Sequence, residues 1–201
     1  MVLKALQNGY IQSVPNLAKA LPGKTAVLVD CSGSMNTTCY TKNGRIQATA
    51  AEKAGLLAAT IAKATNADVV RFGSYAHHVD YDPNQNVFDM GRMIGSANEG
   101  GTNIGAAFNA LSKKYDRIIL LSDNEANYGN STSNAYKSYI RRTGANPYVY
   151  CIDLACYGTT PLKNDGRVNY YFGYGYAMFD DIASKEFNPA MHIDKVRKIV
   201  I

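Results

Sequence analysis

The chain has 201 residues, of which 46% are hydrophobic and 18% are charged, and its formal net charge is +5. This composition is typical of one soluble globular domain, and no apolar run approaches the roughly 18 residues that cross a membrane. The N-terminal residues lack the apolar core and small-residue cleavage site of a secretion signal, so we expect a cytoplasmic protein. The positive charge weakly favours acidic partners.

Apolar runs alternate with segments of helical periodicity along the chain. Residues 1–22 have apolar positions at helical spacing, and we interpret them as a helical lead-in to a single domain over residues 23–201. The predicted strands are residues 25–30, 67–72, 74–79, 116–122, 147–153 and 168–172. The predicted helices are residues 45–64, 85–96, 104–115, 133–143 and 177–185, and a polar loop is predicted at 36–44. This order predicts a doubly wound, mostly parallel α/β sheet flanked by helices, with one antiparallel edge strand.

A short polar motif follows the first predicted strand directly. Asp30 ends that strand, and the hydroxyls of Ser32 and Ser34 follow two and four residues later, which places three hard oxygens on one tight turn. Such oxygens are the ligands that Mg²⁺ and Mn²⁺ prefer. The spacing Asp-x-Ser-x-Ser resembles the metal-ion-dependent adhesion motif of von Willebrand factor type A domains, a family with a Rossmann-like fold.

The resemblance to type A domains implies two further ligands. That family has a Thr on a second loop and an Asp at the end of a later strand, and Thr102 and Asp123 match these positions. Together with Asp30, Ser32 and Ser34, they fall at the carboxyl ends of predicted strands or on loops that lead into helices. Ligands bind at this edge of open α/β sheets. The resemblance therefore implies a site for Mg²⁺ or Mn²⁺ made by five side chains.

Within this group, the chain most resembles the C-terminal domain of the Ro/TROVE ribonucleoproteins. The similar segments are residues 21–35, 100–102 and 122–125. In those proteins a helical-repeat ring precedes the type A domain and holds most of the contacts to small noncoding RNA. We find no counterpart of that ring in this sequence, so the resemblance implies the metal site more directly than it implies RNA binding.

The charges and neutral oxygens of the implied site suit a divalent cation. Two carboxylates balance a divalent cation, three hydroxyls add neutral oxygens, and at least one coordination position stays open for an outside oxygen. The predicted helix from Ile104 directs its N-terminus towards this region, which favours an anion. We therefore expect a metal-dependent binding module that grips an acidic protein surface or an RNA phosphate, without a membrane partner. The alternatives are a Ro-like RNA-associated module of a ribonucleoprotein and a structural subunit of a larger assembly, for example a viral one.

We expect binding rather than catalysis. A hydrolytic metal site needs a positioned general base, and Glu125 is the one plausible candidate near the motif residues. We interpret Glu125 as a solvated loop acid or as a group that holds the first loop in shape. His77 and His78 are neighbours on a predicted strand and point to opposite faces, so they indicate a polar edge strand rather than a zinc site.

The remaining conspicuous residues have ordinary structural interpretations. No pair of the cysteines has C-x-x-C spacing, and we expect free thiols, although Cys31 and Cys39 flank the motif and could bridge. Arg141 and Arg142 fall in the last turn of a predicted helix, where they complement its dipole. The tyrosines between 170 and 176 indicate a strand followed by a glycine-bearing loop. A stacking platform for single-stranded nucleic acid is the alternative for this tyrosine cluster.

Overall fold

The structure is a computed structural model that describes residues 9–10, 21–40, 47–95, 98–125, 131–173 and 175–187. Gly9 and Tyr10 are helical, and the rest of the predicted lead-in before residue 21 lies outside the described residues. The strands are β1 (Thr25–Asp30), β2 (Thr38–Tyr40), β3 (Gln47–Thr49), β4 (Asp68–Phe72), β5 (Ala76–Val79), β6 (Arg117–Ser122), β7 (Tyr148–Asp153) and β8 (Val168–Phe172). The helices are α1 (Ala50–Thr65), α2 (Val87–Gly95), α3 (Ile104–Ala110), α4 (Thr132–Thr143) and α5 (Tyr176–Phe187), with a 3-10 turn at Gly33–Asn36.

Six strands form the central sheet in the order β5-β4-β1-β6-β7-β8. All neighbours are parallel except β5, which pairs antiparallel to β4 at the edge. The predicted doubly wound sheet with one antiparallel edge strand is therefore confirmed. After β1 the chain adds β4 and β5 on one side of that strand. It later adds β6, β7 and β8 on the other side. The carboxyl ends of β1 and β6 thus border the point where the winding reverses, and ligands bind at this point in such sheets.

The core has two layers, one on each face of the sheet. On one face, the sheet packs against α1, α2 and α5, and on the other it packs against α3 and α4. Alternate residues of β1 serve the two layers, with Val27 and Val29 on one side and Ala26 and Leu28 on the other. Because both faces of β1 and β6 are covered, these strands are continuously buried, which explains their unbroken apolar runs. Among the described residues, no helix is long and apolar enough to cross a membrane.

The predicted loop 36–44 and the predicted start of the helix 45–64 were wrong in part. Residues of the predicted loop 36–44 and the start of the predicted helix 45–64 instead form the antiparallel pair β2–β3. Helix α1 begins only at Ala50 because Thr49 and Glu52 form a reciprocal capping box, with hydrogen bonds of 2.8 and 3.0 Å. The apolar periodicity extends further back than the helix, and the local cap decides where the helix starts.

The helix predicted for residues 104–115 also ends early. Helix α3 stops at Ala110, and the next residue, Leu111, has an extended backbone. Arg142 Nη2 donates to the carbonyl oxygen of Leu111 at 2.6 Å and lies 3.3 Å from that of Asn109. The Arg142 guanidinium therefore satisfies carbonyls at the end of α3, a neighbouring helix, in addition to its position in the last turn of α4.

Candidate metal centre

The β1–β6 pair brings two of the predicted site residues, Asp30 and Asp123, to one edge of the sheet. Asp30 ends β1, and its Oδ2 accepts a hydrogen bond of 2.5 Å from Oγ of Ser122, the last residue of β6. Asp30 Oδ1 accepts from the backbone N–H of Ser32 at 2.9 Å. Asp123 follows Ser122 directly and, like Asp30, is fully buried. The two carboxylates therefore lie at the crevice where the sheet reverses its winding.

The surroundings of Asp30 disfavour its charged form. Burial raises the pKa of Asp30 from 3.8 to about 6, and the nearby Asp123 carboxylate adds to the rise. Hydrogen bonds from Ser122 and Ser32 oppose this change in pKa without cancelling it. A cation bound to the two carboxylates would favour their charged forms and so lower the pKa of Asp30.

The hydroxyls of Ser32 and Ser34 lie side by side on the loop after β1. Their Oγ atoms are 3.1 Å apart, Ser32 is buried and Ser34 is half-buried at the start of the 3-10 turn. The turn folds the chain back so that both hydroxyls share one side of the loop. The motif Asp-x-Ser-x-Ser thus places its oxygens together, as the sequence predicts.

The second loop is fastened directly to the first. The Gly33 N–H donates to the Gly100 carbonyl at 2.9 Å, and the Glu99 N–H donates to the Cys31 carbonyl at 2.8 Å. Gly100 has φ +81°, and a Cβ there would lie 2.7 Å from Ser74 Oγ, so this turn requires glycine. Thr102, two residues later, is buried. The backbone contacts therefore bring Thr102 to the loop that carries Ser32 and Ser34.

Helix α3 contributes less than the sequence suggests. It has seven residues, and the Asn103 side chain at its N-cap accepts from the Ala106 N–H at 3.0 Å. Because this short helix uses its own cap, we give its N-terminus no separate role in binding an anion.

Asp123 has one engaged oxygen and one free oxygen. Its Oδ1 accepts from the Glu125 N–H at 3.1 Å. Its Oδ2 is buried and, within the part of the chain that the structure describes, has no hydrogen-bond partner. Buried carboxylate oxygens are normally paired, so the absence of a partner among the described residues makes this atom a candidate ligand.

The residues present fit a hard divalent cation. Two carboxylates and three hydroxyls match the oxygen preference of Mg²⁺ and Mn²⁺, and the unpaired Asp123 oxygen is a vacant donor position. No group of three or more His, Cys, Asp or Glu side chains suited to a metal occurs among the described residues. The five predicted ligands include only two carboxylates and so fall outside such groups.

The sequence analysis assigned no role at the site to two residues of this region. Ser122 orients Asp30, but its pairing follows from the β1–β6 register, which cannot be seen before the strand order is known. Asn124 is buried, has a positive φ of 61° and follows Asp123 directly. An Asn after an acid at a strand end was the available signal for this position.

The other sequence candidates lie in ordinary structural settings. His77 Nε2 lies 3.5 Å from Glu99 Oε1, whereas His78 Nε2 lies 3.1 Å from the Ala110 carbonyl, so the two imidazoles have separate partners. Glu125 is exposed. The hydroxyl of Tyr170 donates to the Leu162 carbonyl at 2.6 Å and that of Tyr171 donates to Asp181, in keeping with the strand interpretation of these two tyrosines. Tyr174 and the side chain of Tyr176 lie outside the described residues.

The described cysteines are free thiols. Cys31 and Cys151 are buried, and Cys156 is exposed. Burial raises the pKa of Cys31 to about 11, and its Sγ lies 3.5 Å from the Ile94 carbonyl. A thiol with this pKa carries little thiolate at neutral pH, so Cys31 is a packing residue beside the motif. The side chain of Cys39 lies outside what the structure describes.

Comparisons with known proteins give structural matches only. No family model and no curated protein matches the chain. The Ro (RSR) protein of Deinococcus radiodurans is similar at a TM-score of 0.65 and 14% identity, over 81% of this chain and 34% of that one. An aerotolerance-related membrane protein of Bacteroides fragilis matches at 0.50 and 16% identity, over 85% of this chain and 98% of that one. A von Willebrand factor type A protein of Catenulispora acidiphila matches at 0.45 and 15% identity, over 85% of this chain and 43% of that one.

These identities are informative about the fold alone. The chain spans about a third of the length of the Ro protein that it matches. The sheet order, the single antiparallel edge strand and the match to part of Ro agree with one another. The chain therefore has a von Willebrand factor type A-like fold, similar to part of the Ro protein.

Proposed function

We propose that this chain is a divalent-metal-dependent binding module that grips an acidic group of a macromolecular partner. The observation that carries the proposal is the buried Asp123 Oδ2, which has no hydrogen-bond partner among the described residues. This oxygen lies at the same crevice as the buried Asp30 carboxylate, whose pKa is raised. Burying unpaired carboxylate oxygen is costly, and a cation would stabilise both groups together.

Five side chains would hold the cation. They are Asp30, Ser32, Ser34, Thr102 and Asp123. Mg²⁺ or Mn²⁺ bound there would supply an electrophilic centre with room for one outside oxygen, because these ions take about six ligands. A carboxylate or phosphate oxygen of a partner suits this position. The protein's part is to hold the two loops at a fixed separation through the Gly33–Gly100 and Cys31–Glu99 backbone contacts.

Binding without turnover is part of this proposal. A hydrolase would need a general base beside the open position, and the exposed Glu125 offers only its backbone N–H to Asp123. Incubation of the Mn²⁺-saturated protein with phosphate esters should give no turnover, and Glu125→Gln should bind metal as the wild type does.

A Ro-like RNA-associated module is the second candidate. The similarity to part of a Ro protein and the net charge of +5 favour it. RNA binding through phosphates would weaken steeply with salt, because each contact releases counterions. Retention of RNA by the Mn²⁺-saturated protein at low salt, lost on chelation, would identify phosphate as the acidic group. If chelation of the metal leaves RNA retention unchanged, the RNA binds elsewhere on the molecule.

Titration of the metal tests the proposal directly. We expect saturable, equimolar binding of Mn²⁺ and Mg²⁺ by calorimetry, and Thr102→Val should weaken it at least about tenfold by removing one oxygen. Thr60→Val is the matched control, because Thr60 is also buried but lies within α1, away from both loops. Absence of Mn²⁺ binding by the wild type, with acetate present to fill the open position, would overturn the proposal.

A further inference from the structure

Asn124, which follows Asp123 directly, carries a buried side-chain amide. The residue is 2% exposed, and neither Oδ1 nor Nδ2 has a hydrogen-bond partner within the described ranges. Its backbone N–H does have one, the Ser122 Oγ at 2.9 Å. Buried side-chain amides are nearly always hydrogen-bonded, so an amide with neither donor nor acceptor engaged requires an explanation.

The backbone conformation alone does not explain this residue. Asn124 has φ +61°, a left-handed conformation that Asn tolerates better than most residues but that Gly adopts without strain. Asn66 has the same kind of backbone, with φ +52°, at the carboxyl end of α1. Asn66 is exposed, so water can satisfy its amide. The two residues share a conformation and differ in burial, and only Asn124 is left with unsatisfied polar atoms.

The position of Asn124 indicates what the amide could serve. It follows Asp123, whose Oδ2 is also buried and unpaired among the described residues. Asp30 and Thr102 are as thoroughly buried as Asn124, so this amide shares the burial of the candidate ligands themselves. Two consecutive residues at this edge of the sheet therefore carry buried polar atoms that have no partner in the described part of the chain.

We propose that the Asn124 carboxamide is a specificity-determining group that donates a hydrogen bond from Nδ2 to the acidic group held at the site. This inference rests on the proposed function. A carboxylate or phosphate that places one oxygen on the cation has another oxygen to spare, and an amide N–H recognises it through a charge-assisted hydrogen bond. The amide would therefore favour ionised oxyanions with at least two oxygens over a ligand that offers a single atom.

Substitution by glycine separates the amide from the backbone. Asn124→Gly removes the side chain and leaves a residue suited to the positive φ, so the melting temperature of the metal-free protein should stay at or above that of the wild type. Free Mn²⁺ is followed by electron paramagnetic resonance, first alone and then with acetate or methyl phosphate. We expect unchanged Mn²⁺ affinity, within about twofold, and about tenfold weaker binding of both oxyanions to the Mn²⁺-saturated variant.

Two further variants keep the inference falsifiable. Asn66→Gly makes the same change at the exposed left-handed residue and should leave oxyanion binding as in the wild type. Asn124→Asp keeps the side-chain shape but replaces the donor by a charge, and it should weaken oxyanion binding at least as much as glycine does.

The outcomes distinguish this inference from the function on which it rests. Wild-type affinity for acetate and methyl phosphate in Asn124→Gly would overturn the role of the amide. A tenfold loss of Mn²⁺ affinity without any oxyanion would also overturn it, because the amide would then act on the cation. Failure of the wild type to bind Mn²⁺ at all would overturn the proposed function itself. A loss for methyl phosphate alone would contradict recognition of the chemistry that the two oxyanions share.

Discussion

Asp123 and Asp153 occupy nearly equivalent places in the fold but differ in the hydrogen bonds that their carboxylates accept. Asp153 ends β7 and pairs in register with Ser122 of β6, so the two acids lie at the same edge of adjacent parallel strands. Both are fully buried. Asp153 accepts three backbone hydrogen bonds, from Ala155 at 3.1 Å, Cys156 at 2.7 Å and Gly158 at 2.8 Å. Asp123 accepts one through Oδ1, and its Oδ2 is unpaired among the described residues.

Neither position nor burial therefore identifies a functional acid. The carboxylate of Asp153 accepts backbone hydrogen bonds from the loop that follows it. This loop contains Cys156, which has φ +62°. The carboxylate of Asp123 keeps one oxygen, Oδ2, without a partner in the described part of the chain. Between these two acids the difference lies in the satisfaction of the individual oxygen atoms and not in the depth of the residue.

We expect the largest effect when one carboxylate oxygen is replaced by an amide nitrogen in each of the two acids. Asp123→Asn should weaken Mn²⁺ binding at least about 100-fold, because it removes a charge and an oxygen from the proposed ligand set. Asp153→Asn should leave Mn²⁺ affinity within about threefold and instead lower the free energy of unfolding by about 2–4 kcal/mol, since its three bonds are charge-assisted.

Calorimetric titration with Mn²⁺ and denaturant unfolding of the metal-free proteins check both halves of this prediction. The free energy of unfolding of Asp123→Asn should change much less than that of Asp153→Asn. Equal losses of Mn²⁺ affinity in the two variants would break the comparison, because the acids would then serve the cation alike.

A second prediction concerns Asp30, which is buried and whose carboxylate oxygens both accept protein hydrogen bonds. Its pKa rises from 3.8 to about 6 on burial, so the folded state holds the proton more tightly than the unfolded chain does. The stability contributed by Asp30 is therefore greatest at low pH and is lost as the pH rises through about 6, a change of about 3 kcal/mol.

Asp30→Asn isolates this effect from the other titrating groups. The stability of the metal-free variant relative to the metal-free wild type should increase as the pH rises from 4 to 7.5, as measured by denaturant unfolding. Mn²⁺ should stabilise the wild type at pH 7.5 and leave Asp30→Asn unaffected. Parallel stability profiles of the two proteins across this pH range would contradict the electrostatic account.

The smallest expected effect tests the support of the second loop. Glu99 Oε1 lies 3.1 Å from Arg71 Nη2, and the Glu99 backbone links the loop to Cys31. Glu99→Gln should weaken Mn²⁺ binding by up to about fivefold, because a partly exposed ion pair contributes at most about 1 kcal/mol. The control is Asp89→Asn, which breaks the exposed Asp89–Arg92 pair on α2 and should leave Mn²⁺ binding unchanged. A loss as large as that of Asp123→Asn would make Glu99 a ligand rather than a support.

Strong local patterns determined much of the architecture from the sequence. The apolar runs of β1 and β6 marked buried parallel strands because both of their faces are covered. The start of α1 escaped prediction because apolar periodicity continues past the capping box at Thr49 and Glu52. The end of α3 was predicted too late because Arg142, which is distant in sequence, satisfies the carbonyls at the end of this helix. Competition between local signals and distant partners explains both errors.

By itself, the sequence determined the alternating α/β order and the spacing of Asp30, Ser32 and Ser34, since both depend on residues close together in the chain. Only the tertiary structure decided that β1 lies beside β6, and hence that Ser122 holds Asp30 and that Asp123 lies at the same crevice. It alone distinguished the satisfied Asp153 from Asp123, and the exposed Asn66 from the buried Asn124. The physical reason is that the pairing of a polar atom depends on neighbours that strand order brings together, and no pattern within a segment encodes those neighbours.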